Sequence, residues 1–194
     1  INFEYKWNAK QMLIGDLFSK YDSILHNELK GYSVLNYLSS HDDGQPFDPN
    51  REKAKESAMF LLLTPGASQI YYGDEVGMWG GDDPDCRKPM VWPEYNYETE
   101  TTHPFGMARP ADKVKFDSSL FYWYRSLIKI RNDNSELRRG SLNFINSGDD
   151  NVLIYDREYN NSKMRIIINN SDVVKNIPQE LGNSKTELIS RTSI

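Results

Sequence analysis

The chain has 194 residues, 38% hydrophobic and 26% charged, which suits one sizeable folded domain or a domain with a smaller companion. Its 23 Lys and Arg against 28 Asp and Glu leave a net charge of −5, so it offers no general attraction for the phosphate backbone of nucleic acid. The single cysteine, Cys86, excludes an internal disulfide, and no apolar run approaches the ~20 residues of a membrane-spanning helix.

The chain opens at Ile1, without an initiator Met or a signal peptide and inside a patterned segment, which predicts that something upstream has been removed. Ile1 to Tyr5 alternates apolar and polar residues and predicts a strand. Ala9, Met12, Leu13, Leu17, Tyr21, Ile24 and Leu25 then recur at helical spacing, until Gly31 breaks the pattern. Tyr32 to Leu38 reads as a buried strand. Asp48-Pro49 predicts a helix start, because Asp caps free N–H groups and Pro fits the first turn. That helix turns Ala54, Ala58, Leu61 and Leu62 inward and stops before Pro65-Gly66. Ser68 to Tyr72 predicts another strand, and an irregular stretch rich in Gly, Pro and Asp runs to about Asp117. Ser118 or Ser119 then caps a helix with Leu120, Tyr124, Leu127 and Ile128 on one face.

After about Leu137 the pattern changes. Leu142 and Phe144, Val152 and Ile154, then Met164, Ile166 and Ile168 alternate with period two, separated by Gly148-Asp149-Asp150 and Asn160-Asn161. This predicts antiparallel strands joined by hairpin turns. The chain therefore divides into an α/β region, residues 1–137, and an all-β, sandwich-like region, residues 138–194. Three strands and three helices fall short of a closed (β/α)8 barrel, which needs eight strands and typically ~250 residues, but fit its last part.

Two polar constellations follow predicted strands, where parallel α/β folds place their sites. The first is Asn36-Tyr37-Leu38-Ser39-Ser40-His41-Asp42-Asp43, in which adjacent His and Asp can hydrogen-bond one polar ligand from two sides. A capping turn fits the same residues, since Ser and Asp favour turns and helix starts. The second runs from Thr64 through Tyr71-Tyr72-Gly73-Asp74-Glu75-Val76-Gly77-Met78 to Gly80-Gly81-Asp82-Asp83-Pro84-Asp85-Cys86-Arg87-Lys88-Pro89-Met90 and Trp92. Its Tyr and Trp faces suit sugar rings and its Asp and Arg suit hydroxyls; a surface loop braced by Arg87 and nearby Asp residues fits as well. A calcium loop fails. Counted from Asp82, Pro93 takes the twelfth position; counted from Asp83, Arg87 and Lys88 bring two cations inside the loop. His26, His41 and His103 are too scattered for zinc, so no metal ligands are assigned.

Tyr37-Leu38-Ser39-Ser40-His41-Asp42 resembles the fourth conserved motif of the α-amylase family, glycoside hydrolase family 13, which ends barrel strand seven there. Pro65-Gly66 through Met78 is similar to that family's strand eight and its following loop, and Gly80 to Trp92 continues the match. Ile1-Asn2-Phe3-Glu4 resembles strand six more weakly, and the β-rich tail stands where the family has a C-terminal β-sandwich. The resemblance implies strands six to eight of a TIM (β/α)8 barrel and a retaining α-glucan hydrolase acting on starch or maltooligosaccharides. Asp42 then matches the carboxylate that stabilises the transition state, and His41 its sugar-binding neighbour; Asp85 and Arg87 fall in the loop that lines the substrate cleft. The family's nucleophile and acid/base would lie upstream of Ile1, in a missing barrel half, so the chain is expected to be inactive alone. No cofactor is assigned to it, and calcium in the parent enzyme would use upstream residues. A secreted or periplasmic location follows only from the substrate class. Other expectations left open are a non-catalytic glucan-binding protein on the same fold and an α-1,6-specific or transglycosylating relative.

Overall fold

The computed structural model describes residues 1–11, 14–42, 44, 51 and 53–176. The predicted helix start at Asp48-Pro49 and Asp43 lie outside the described residues, as do Met12 and Leu13. Helices α1 (Phe3–Gln11) and α2 (Ile14–His26) precede strand β1 (Leu35–Tyr37); helix α3 (Ala54–Leu63) precedes strand β2 (Ala67–Gln69). β1 and β2 are parallel, with Leu35 opposite Ala67 and Tyr37 opposite Gln69, and Asn2 bridges Asn36 in parallel on the other side of β1. Three successive parallel segments with helical crossovers between them form one arc of a β/α barrel. The Asn2 side chain donates to Asn36 Oδ1 at 2.9 Å, and Asn36 in turn donates to Pro65 O at 2.9 Å, so a buried amide chain crosses the arc.

The strand expected over residues 1–5 contracts to Asn2, because the chain turns helical at Phe3. Asn2 Oδ1 accepts from Tyr5 N at 3.2 Å, which is the bond that an N-cap asparagine makes to the third helical residue. The alternation of Ile1, Phe3 and Tyr5 thus belongs to a helix start, with Tyr5 buried and Phe3 exposed.

Beyond β2 a single 3-10 turn, Asp74–Val76, opens a long loop whose only regular pairing among the described residues is β3 (Thr99–Glu100) with β4 (Asp112–Lys113). Helix α4 (Ser118–Asp133) buries Leu120, Tyr124 and Leu127. Its N-cap is Asp117, one residue before the serines expected to cap it; the Asp117 carboxylate accepts from Leu120 N at 3.0 Å. Asp outcompetes Ser here because a full charge also faces the positive end of the helix.

The short helix α5 (Ser135–Arg139) leads into three antiparallel strands in sequential order: β5 (Ser141–Ile145), β6 (Val152–Tyr159) and β7 (Ser162–Asn169). Asn160 and Asn161 both have positive φ, 49° and 63°, as a two-residue hairpin turn requires. Leu142 and Phe144 share a face with Leu153, Tyr155, Ile166 and Ile168 and join α2, α3 and α4 in one apolar core. Val152 and Ile154 alternate to the opposite face, where they are also buried. The sheet is therefore seated directly on the barrel arc.

Candidate active site

The C-terminal ends of β1 and β2 open into adjacent loops, and side chains from each grip the other. Ser39 Oγ donates to the Asp74 carboxylate, lying 2.6 Å from both oxygens. Arg87 Nε donates to His41 O at 2.9 Å and Cys86 Sγ to the same oxygen at 3.2 Å. Adjacent residues of the second loop, Cys86 and Arg87, thus share one backbone carbonyl of the first, which the sequence places 46 residues before Arg87.

Asp42 and His41 are both open to solvent, with side chains 68% and 64% exposed. Arg87 Nη2 meets Asp42 Oδ1 at 3.1 Å, and His41 Nε2 lies 3.3 Å from the same oxygen. Arg87 also contacts Asp83 Oδ1 at 2.5 Å. Asp82 to Arg87 makes a tight turn, with Asp85 N donating to Asp82 O and Arg87 N to Pro84 O. Residues four apart share a face in such a turn, so Asp83 and Arg87 point outward together. The sequence allowed Arg87 to pair with a nearby Asp in this loop, and Asp83, four residues before it, makes that pair, though it was not assigned to the cleft.

Asp85 points the other way. Its carboxylate is 2% exposed, with Oδ1 held by Arg109 Nη1 at 2.9 Å and Oδ2 accepting from Gly81 N at 2.8 Å. The structure brings Asp42, His41 and Arg87 together at the surface and keeps the Asp85 carboxylate beneath them. The tyrosines of the second constellation brace the same turn: Tyr71 donates to Cys86 O and Tyr72 to Lys88 O. Among the described residues no group of three or more His, Cys, Asp or Glu is arranged to hold a metal ion, and no helix is long and apolar enough to cross a membrane.

Burial pushes the Asp74 carboxyl up to about 7, against the opposing Ser39 hydrogen bond and with the help of the Glu75 charge. A carboxyl raised above its unfolded value binds its proton more tightly in the folded state. Its contribution is complete below about pH 4 and is lost as pH rises through about 7. The displacement sets an upper limit of about 4 kcal/mol. Urea melts of Asp74→Asn should lose this decline in stability between pH 4 and 7; a decline equal to that of the unsubstituted chain would locate the titration elsewhere.

Residues 2–140 match the family model of the catalytic domain of alpha amylase. The chain belongs to the α-amylase family. Among relatives in that family, it is 33% identical over 164 residues to a cyclomaltodextrinase from Geobacillus thermopakistaniensis, covering 81% of this chain and 25% of the relative. It is 28% identical over 151 residues to neopullulanase 2 from Thermoactinomyces vulgaris, covering 76% of this chain and 23% of the relative. A solved cyclomaltodextrinase superimposes with a TM-score of 0.63 at 28% identity, over 88% of this chain and 28% of that one. An alpha-amylase from H. orenii gives the same TM-score at 25% identity, over 86% of this chain and 38% of that one. The chain thus spans about a quarter of the length of the relatives it matches. These family neighbours identify the parallel arc as part of the family's β/α barrel.

Proposed function

We propose that this chain supplies the third carboxylate and part of the substrate cleft of a retaining α-glucan hydrolase that cleaves α-1,4-glucosidic bonds in maltooligosaccharides or starch. The reading is carried by one observation: Asp42, His41 and Arg87 stand exposed together where two adjacent parallel strands end. Arg87 and His41 approach Oδ1 of Asp42, and Oδ2 is the atom that accepts a ring hydroxyl. His41 binds the same sugar. Arg87 and Asp83 extend the surface toward a neighbouring unit, one donating to hydroxyls and the other accepting from them. Asp42 also sets a negative charge near the oxocarbenium-like transition state.

Retention needs two further carboxylates, about 5–5.5 Å apart, one as nucleophile and one as acid/base. In this reading both come from outside the chain, and the β5–β6–β7 sheet belongs to a C-terminal sandwich. The test is reducing-sugar release from maltoheptaose by the 194-residue chain and by a polypeptide extended upstream. The short chain should release none and the extended one should be active. Robust release by the short chain would place the whole catalytic set within it; none from either would favour a glucan-binding protein without catalysis. Comparing products from linear and branched oligosaccharides decides the bond.

A further inference from the structure

Arg109 lies 24 residues beyond Asp85, yet the two side chains form a pair that is 3% and 2% exposed. Arg109 Nη1 also reaches Glu100 Oε2 at 3.0 Å, and Lys88 Nζ meets the same Glu100 oxygen. The Arg109 guanidinium lies 5.0 Å from the centre of the Trp79 ring, a cation–π arrangement for the charge that Asp85 does not cover. On the far side of Asp85, the Gly81 amide completes the carboxylate's hydrogen bonds. Gly80 presses so closely on this turn that an added Cβ would stand 2.4 Å from Asp85 O. The turn is thus fixed from within by an ion pair, from behind by a bare backbone and from the β2 side by two tyrosine hydroxyls.

What the turn carries is Arg87. Residues 85 and 86 face inward while 83 and 87 face outward, so a rotation of the turn that releases Asp85 must also move Arg87 away from His41 O and Asp42. We infer that Asp85 and Arg109 are positioning residues. Their buried pair clamps the 82–87 turn and so holds Arg87, and through it Asp42, in the arrangement that receives a glucan. This assigns Asp85 an indirect role in place of direct sugar contact, and it rests on the reading of Asp42 and Arg87 as glucan-binding groups.

Cys86 provides a reporter that does not depend on that reading. Its thiol is buried beside Asp85 and donates to His41 O, so reagent can reach it only when the turn opens. The experiment takes the full-length enzyme that contains this chain and follows modification of Cys86 by a thiol reagent, resolved by peptide mass spectrometry, beside turnover of maltoheptaose. Both are measured at one temperature, about 20 °C below the lowest melting midpoint of the set, where a merely stabilising pair leaves every variant folded and kcat unchanged. Asp85→Asn and Arg109→Lys should each label at Cys86 at least tenfold faster and lose at least tenfold in kcat. Lys129→Gln, at an exposed ion pair on α4, should do neither. Unchanged labelling or unchanged kcat in both clamp variants would overturn the inference. Should the unsubstituted enzyme release no sugar, the functional reading fails while the labelling rates still decide whether the clamp exists.

Discussion

Asp42→Asn, introduced into an enzyme that carries these residues together with the rest of the barrel, is expected to lower kcat on maltoheptaose by at least about a hundredfold. The reason is differential. An asparagine keeps the shape of the side chain and can still accept a hydroxyl, so ground-state binding changes little. What it removes is the negative charge that becomes worth most when the sugar develops positive charge. The same substitution should leave the fold almost untouched. Asp42 is 68% exposed, and its ion pair with Arg87 is of the kind that contributes ~0–1 kcal/mol. Arg87 keeps its contacts with Asp83 and His41 O when Asp42 loses its charge. Steady-state kinetics and a thermal melt on one preparation separate the two effects. A large drop in melting temperature, or a kcat within a few-fold of the unsubstituted enzyme, would remove Asp42 from the transition-state role.

The parts of this site that the sequence displayed are those built from neighbours. Ser39 to Asp42 follow an apolar run, so a polar cluster at a strand end could be read without coordinates. The same holds for the Asn160-Asn161 turn, whose residue type tolerates positive φ. Asp85 was legible as an acidic residue in the right loop and illegible in its direction. Which way it faces depends on Arg109 and Trp79, and only the fold brings those together. At the N-terminus the local pattern was ambiguous rather than silent. Three apolar residues in alternation fit either a strand or a helix start, and the choice fell to one hydrogen bond from Tyr5 N to Asn2 Oδ1. In β6 the period shows a strand but not its inward side: both faces are buried, so alternation carries no sign of which face meets the helices.

That doubly buried strand carries the other large effect. Arg157 is fully buried and, among the described residues, pairs with no carboxylate; its guanidinium donates to Ser141 O at 3.0 Å, Leu63 O at 2.9 Å and Gly140 O at 2.9 Å. Arg131, from α4, donates to Leu62 O, Thr64 O and Gly66 O just beside it. Two arginines therefore cover the end of α3, where helix carbonyls lack intrahelical donors and the dipole presents its negative pole. Burial lowers the Arg157 pKa to about 10, which leaves it charged at neutral pH. Because α3 runs straight into β2, the same contacts join the barrel arc to the β5–β6–β7 sheet. Arg157→Met fills similar space but strands three carbonyls, each costing about 1–3 kcal/mol when buried without a donor. The expected loss is at least ~3 kcal/mol, a large share of the ~5–15 kcal/mol that holds a typical domain together. With a urea dependence of ~2 kcal/mol per molar, the midpoint should fall by about 1.5 M or more. Lys129→Gln on the exposed face of α4 should stay within ~0.5 kcal/mol of the unsubstituted chain. A midpoint shift in Arg157→Met no larger than that of Lys129→Gln would mean that the sheet and the arc are held by their shared apolar core alone, and that the arginine bridge adds nothing to it.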